Sequence, residues 1–199
     1  MKILFFDTET TGLPVNWWAP MSALANWPRV IQLGWILTDG EGKILRRQKH
    51  LIKPDGWVVP AEEFWVKNGF YTEKNQQEGL PISLALELYN YDLIGCNILV
   101  AHNMSYDYNV LGSEMIRKWN QCPLTSRTRI CTKEASTKVC KLPGPYGYKW
   151  PTLTELHNHL FGSSFEGAHD ALSDVIACKN SFFELVKRGV IKLPEAAAA

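Results

Sequence analysis

The run Ile3-Leu4-Phe5-Phe6 passes directly into Asp7-Thr8-Glu9. Four consecutive apolar residues read as a buried strand. Side chains alternate between the two faces of a strand, so Asp7 and Glu9 project to the same side at its end. Paired carboxylates beside a core repel one another and are costly unless something neutralises them. A divalent cation held between them would do so. Taken alone, the stretch also reads as a solvated strand end, with Gly12 and Pro14 opening a turn.

A chain of 199 residues is long enough for one domain with a full hydrophobic core. With 46% hydrophobic and 21% charged residues it has the composition of a soluble globular domain. A net charge of +1 argues neither for nor against a nucleic-acid partner, so any electrostatic footprint is local. The five cysteines, Cys96, Cys122, Cys131, Cys140 and Cys178, contain no C-x-x-C pair. They suit neither a zinc site nor a disulfide framework, and the composition predicts a reducing, cytoplasmic location. Met1-Lys2 leads at once into the short strand, without the apolar stretch of a signal peptide, and no apolar run approaches membrane-spanning length. Residues 1–194 read as a single domain. The closing EAAAA, residues 195–199, is low-complexity, reads as an appended tail and carries no functional reading.

Residues 15–28, with three Trp and two Pro, show no period and read as a long loop. Two β-rich runs, 29–38 and 43–52, flank Asp39-Gly40-Glu41-Gly42, a strong hairpin signal. The first three strands therefore read as sequential and antiparallel. Residues 54–82 are punctuated by Gly and Pro and read as irregular. A helix follows with Ser83 as its N-cap and Leu84, Leu88 and Tyr91 in a stripe. Residues 97–103, NILVAHN, read as a short strand. The next helix, from 105, carries Tyr108, Leu111 and Met115 on one face, and a shorter one ends at Gly162. A last helix over 168–188 turns Leu172, Val175, Ile176, Phe182, Phe183 and Val186 inward.

Two further acids stand on or beside apolar helix stripes, where a carboxylate is informative. Asp107 lies in a first turn, where a helix-dipole role is the plain alternative. Asp174 reads as two turns into the last helix, where that alternative is weaker. His169 falls five residues earlier, at the same helix's N-terminal end. Singly, each of these residues has an ordinary structural explanation. Together DTETTGL, LVAHNMSYDYNVL and HDALSD resemble, in order and spacing, the three motifs of the DnaQ-like, DEDDh-type 3′–5′ exonucleases. The intervening PRVIQLGWIL and PTLTELHNHLFG fit the same family, so the resemblance covers nearly the whole chain.

The resemblance implies an α/β fold: an RNase H-like mixed sheet, three antiparallel N-terminal strands plus parallel strands, flanked by helices. It implies a site for two Mg2+ or Mn2+ ions, which in such sites lie roughly 3.5–4 Å apart. In it Asp7 bridges both ions, Glu9 and Asp174 hold the one that activates water, Asp107 supports the second, and His169 is the general base. The product implied is a 5′-mononucleotide from a DNA 3′ end, with single strands preferred. Thr10, Thr11, Gly12 and Leu13 would cradle the terminal nucleotide, through backbone N–H groups and an apolar contact from Leu13. His102 and Asn103 stand as substrate contacts or helix caps.

Other features carry alternatives. The 117–141 stretch holds seven Lys or Arg against one Glu, and is either a solvated face or a track for the nucleic-acid backbone. Trp17, Trp18 and Trp27 either stack on bases or pack the loop. His157 and His159, two apart on a helix, face different ways and form no nuclease motif. Asn68-Gly69-Phe70-Tyr71 stands where many relatives have a His-Gly-Ile-Thr turn, a departure that bears on terminal-base contacts. Trimming of RNA ends by the same acids is the rival activity. A catalytically silent polymerase accessory module is the rival of another class, and a polymerase partner stays open. The resemblance implies no membrane partner.

Overall fold

The computed structural model describes residues 1–194; the Ala-rich tail lies outside them. The opening run forms strand β1 (Lys2–Thr10), central in a five-stranded sheet. Its alternation divides the molecule. Ile3 and Phe5 enter one core, and Leu4 and Phe6 enter the other. A strand covered on both faces has no polar side, which is why the run is continuously apolar. β2 (Val30–Asp39) and β3 (Ile44–Leu51) continue antiparallel on one flank of β1. The β2–β3 turn is closed by Asp39, whose Oδ1 accepts from the N–H groups of Glu41 and Lys43 at 3.0 and 2.9 Å. β4 (Ile98–Ala101) and β5 (Thr128–Cys131) run parallel on the other flank, giving the order β3-β2-β1-β4-β5. This is the mixed sheet that the family resemblance implies.

In chain order the helices are α1 (Glu63–Lys67), α2 (Thr72–Glu78), α3 (Ile82–Leu93), α4 (Met104–Trp119), α5 (Thr132–Cys140), α6 (Leu153–Phe161) and α7 (Ala171–Lys187). α3 and α4 pack with Leu4, Phe6, Trp35 and Leu99 on one face of the sheet. α6 and α7 pack with Ile3, Phe5, Ile36 and Val100 on the other. A capping box fixes the start of α6: Thr152 and Glu155 each accept a bond from the other's backbone N–H. A small hairpin, β6 (Pro143–Gly144) with β7 (Gly147–Tyr148), joins α5 to α6.

The structure corrects four details. α1 and α2 occupy the segment read as irregular, since helices of five and seven residues are too short to show a period. β5 and α5 fold out of the basic stretch. α3 begins after Pro81 rather than Ser83, and it buries Ile82, Leu86, Tyr89 and Leu93 while Leu84, Leu88 and Tyr91 face solvent. That helix is apolar on both sides, so periodicity could not choose between stripes; Tyr89 chooses, packing edge-on against Phe6 and Trp35. Finally, α7 begins at Ala171 with Asp170 as N-cap. His169 therefore precedes the helix, and Asp174 sits in its first turn. Among the described residues no helix is long and apolar enough to cross a membrane.

Candidate active site

The carboxyl end of β1 meets the amino ends of α4 and α7. Asp7 and Glu9 project from one face of β1, and Asp174, fourth residue of α7, descends onto them. Carboxylate oxygens of Asp7, Glu9 and Asp174 all lie within 4.8 Å of one another. Asp107, fourth residue of α4, arrives from the opposite face. Its Oδ1 accepts from both the backbone N–H and the hydroxyl of Thr8, at 3.0 and 2.7 Å. The strand thus offers two acids on one side and a clamp for a third acid on the other.

This cluster has no internal counter-charge. Among the described residues no ion pair reaches Asp7, Glu9, Asp107 or Asp174. Burial, then repulsion from Asp107, Asp174 and Glu9, holds the Asp7 carboxyl well above the usual carboxylate range. Burial and repulsion from Asp174 push Glu9 up to about 8. Asp107 and Asp174 rise to about 7, mainly through burial, and the bonds from Thr8 and from His169 N–H oppose the rise. An all-carboxylate set of this kind fits a hard divalent cation, which takes oxygen ligands. Neighbouring Asp170 is paired with Lys49 at 2.8 Å, and its charge still adds to the rise of Asp7, Glu9 and Asp174.

His169 is exposed and holds a left-handed backbone, φ 68°. For a residue with a Cβ that conformation costs roughly 1–2 kcal/mol. Its backbone N–H donates to Asp174 Oδ2 at 3.0 Å, so the turn and the acid fix each other. The imidazole lies edge-on to Phe64, with ring centroids 5.0 Å apart. His169, Asp7 and Asp174 line a cleft of about 300 Å³ with His102 and Thr152–Thr154. Both ring nitrogens of His102 are bonded within the protein, to the Thr132 hydroxyl and the Pro151 carbonyl. Burial lowers its pKa to about 4, so it is a neutral wall of this cleft.

A second cleft, about 360 Å³, opens on the other side of Glu9. It is lined by Thr10, Gly12, Leu13 and Asn103 and by the aromatic rings of Trp17, Phe64, Trp65 and Tyr106. Its floor is tied together. The Trp65 indole donates to Thr10 O at 2.9 Å, and the Thr10 and Tyr106 hydroxyls lie 2.8 and 2.7 Å from Gly12 O. Thr11 stands apart from the cleft: its N–H donates to Arg29 O and its hydroxyl accepts from Arg29 N–H. Asn103, in a left-handed turn at the N-cap of α4, is bonded to the Lys133 ammonium.

The exonuclease family model of RNase T type matches residues 4–182. The chain belongs to this exonuclease family. It has the RNase H-like fold. Its fold is similar to that of E. coli Exonuclease I in complex with a dT13 oligonucleotide, with a TM-score of 0.68 at 19% identity over 94% of this chain. A moderately thermophilic Exonuclease I from Methylocaldum szegediense gives a TM-score of 0.68 at 20% identity over 94% of this chain. The chain spans only 41% and 40% of those two proteins. No curated protein matches it by sequence.

Several residues of the two clefts carry no sequence signal of their own. Phe64 and Trp65 come from a one-turn helix in a segment without period; an aromatic pair amid polar residues is the only trace. Tyr106 precedes Asp107 and reads as an ordinary helix aromatic. Trp27, by contrast, is buried, its indole bonded to Pro20 O, so it packs the loop and offers no stacking face. Trp18 is 93% exposed. Much of the basic stretch serves the fold: Arg117 turns back to the Leu24 and Trp27 carbonyls, and Arg127 to Leu93 O. Arg129 lies 4.4 Å from the Tyr108 ring centre.

Proposed function

We propose that this exonuclease removes 5′-mononucleotides from DNA 3′ ends, with unpaired strands preferred. The observation that carries the reading is the carboxylate cluster, uncompensated by any cation among the described residues and set between an aromatic cleft and the His169 cleft. Asp7, Glu9 and Asp174 would hold divalent cations, with Asp107 alongside. When bound, two Mg2+ or Mn2+ ions neutralise the acids, stabilise charge on the phosphodiester and make a bound water acidic.

The chain's own residues do the remainder. Leu13, Trp17, Phe64 and Trp65 present apolar surface on which an unpaired base stacks. Thr8 fixes Asp107, and the His169 backbone fixes Asp174. The His169 ring accepts the proton of the attacking water. Water oxygen bonds to phosphorus, the P–O3′ bond breaks and the leaving O3′ takes a proton from solvent, which leaves phosphate on the released nucleotide and a new 3′ hydroxyl on the strand. Aromatic stacking favours a strand free of its complement, and the oligonucleotide-bound structures of E. coli Exonuclease I accord with that substrate. Five unpaired cysteines accord with a reducing cytoplasmic location.

The test uses end-labelled single-stranded DNA, duplex DNA and RNA, with Mg2+ or with EDTA. Expected are Mg2+-dependent mononucleotides from single-stranded DNA, blocked by a 3′ cap and unaffected by a 5′ cap. Cuts in a circular single strand would overturn the exonucleolytic reading, and faster loss of RNA would reassign the substrate.

A further inference from the structure

Residues directly opposite Asp7 and Glu9 on β2 are Gly34 and Gln32. Paired residues share a face, so both look toward the start of α7. Gly34 makes the approach of that helix possible: a Cβ there would lie 2.8 Å from the Ala171 carbonyl carbon and 2.9 Å from Leu172 N. Those are backbone atoms that cannot swing aside. Gln32 then fixes the approach, because its Oε1 accepts the Ala171 N–H at 2.8 Å in a buried setting. Ala171 is the first residue of α7, and its N–H has no partner within the helix. Asp170 satisfies a different amide, that of Ser173. Ala171 and Asp174 are three apart, on one helical face. The Gln32 bond therefore sets the height and rotation at which the Asp174 carboxylate meets Asp7 and Glu9.

We infer that Gln32 is a positioning residue of the acid cluster, acting through the Ala171 amide on Asp174, with Gly34 as the gap that admits the helix. This rests on the reading of the cluster as a metal site. Its neutrality has a reason. A glutamate would also accept the Ala171 N–H, and a helix N-terminus favours an anion. It would add another negative charge beside acids that already repel. An amide keeps the acceptor without the charge.

The test compares wild type with Q32M, similar in size but without an acceptor, and Q32E, which keeps one. Mn2+ binding is measured by calorimetry, alongside hydrolysis of single-stranded DNA per folded molecule. Q32M should lose roughly tenfold or more in Mn2+ affinity, as loss of an outer partner of metal ligands does, with KM for DNA little changed. Q32E should restore turnover at saturating Mn2+. Hydrogen exchange at the Ala171 amide of wild type gives a reading that needs no variant: protection is expected. An Ala171 amide exchanging freely, or Q32M matching wild type in Mn2+ affinity and turnover, would overturn the inference. Q32E turning over as slowly as Q32M at saturating Mn2+ would also overturn it. A wild type that binds no Mn2+ would instead remove the metal reading itself, and the role of Gln32 with it.

Discussion

Thr8 gives both its backbone N–H and its hydroxyl to a single oxygen of Asp107. The two residues come from the central sheet and from a helix packed on it, 99 positions apart in the chain. Because Thr8 lies between Asp7 and Glu9, the same three residues of β1 present two acids to α7 and anchor the acid of α4. Displacement of the strand end therefore moves all the acids together.

Thr8→Val keeps the shape of this buried residue and removes the hydroxyl, leaving Asp107 with the backbone bond alone. A hydrogen bond to a charged group contributes about 1.5–3 kcal/mol. A stability loss of that order is expected above pH 7, where Asp107 ionises, and a smaller one at pH 5. Urea unfolding at both pH values measures it; equal losses would show that the hydroxyl does not serve the carboxylate.

Without metal, the cluster should make the fold weaker as pH rises. The acids start from ordinary values of 3.8 and 4.5 and are raised in the fold, Asp107 and Asp174 to about 7 and Glu9 to about 8. The folded state thus holds protons more tightly than the unfolded chain, and the stability they confer is complete below the unfolded values. It is lost as pH climbs through the folded ones. Thermal unfolding in EDTA should show Tm falling from about pH 4 to about pH 8, with Mn2+ restoring it at the upper end. Asp7→Asn should flatten the slope, stabilise the metal-free protein and abolish hydrolysis. A Tm indifferent to pH in EDTA would contradict the electrostatic account of the cluster.

His169→Ala tests the general base. A base of this kind contributes about 10²–10⁴-fold, so single-turnover hydrolysis should fall by that order while Mn2+ and DNA still bind. Circular dichroism and denaturation fix the folded fraction, because the left-handed turn at His169 also serves Asp174 through its backbone. A rate per folded molecule equal to wild type would assign the proton to another acceptor.

Trp17→Ala addresses the aromatic cleft. Base stacking on an aromatic side chain contributes about 1–3 kcal/mol, so affinity for a single-stranded oligonucleotide should weaken correspondingly, measured by fluorescence anisotropy with the inactive Asp7→Asn protein. Trp27→Ala should cost stability instead, since that ring is buried. The reverse pattern would exchange the roles of the two tryptophans.

What the sequence by itself determined was local. β1 could be read because four apolar residues need cover on both faces, and Asp7 and Glu9 could be paired because strands alternate. The β2–β3 hairpin was legible in Asp39–Gly42, the α4 stripe in Tyr108, Leu111 and Met115, and the end of α6 in Gly162, each through a short-range rule of backbone geometry. Tertiary structure decided what depends on approach between distant elements. The buried stripe of α3 was chosen by Tyr89 meeting Phe6 and Trp35, and the aromatic cleft was completed by Phe64 and Trp65 from a helix too short to announce itself. The start of α7 at Ala171 brought Asp174 into the first turn and left His169 outside the helix. There α7 lies against β2, where Gln32 accepts the Ala171 N–H and Gly34 leaves room for the helix backbone. Periodicity records which face of an element is apolar; it holds no record of which partner will lie against that face, or how closely.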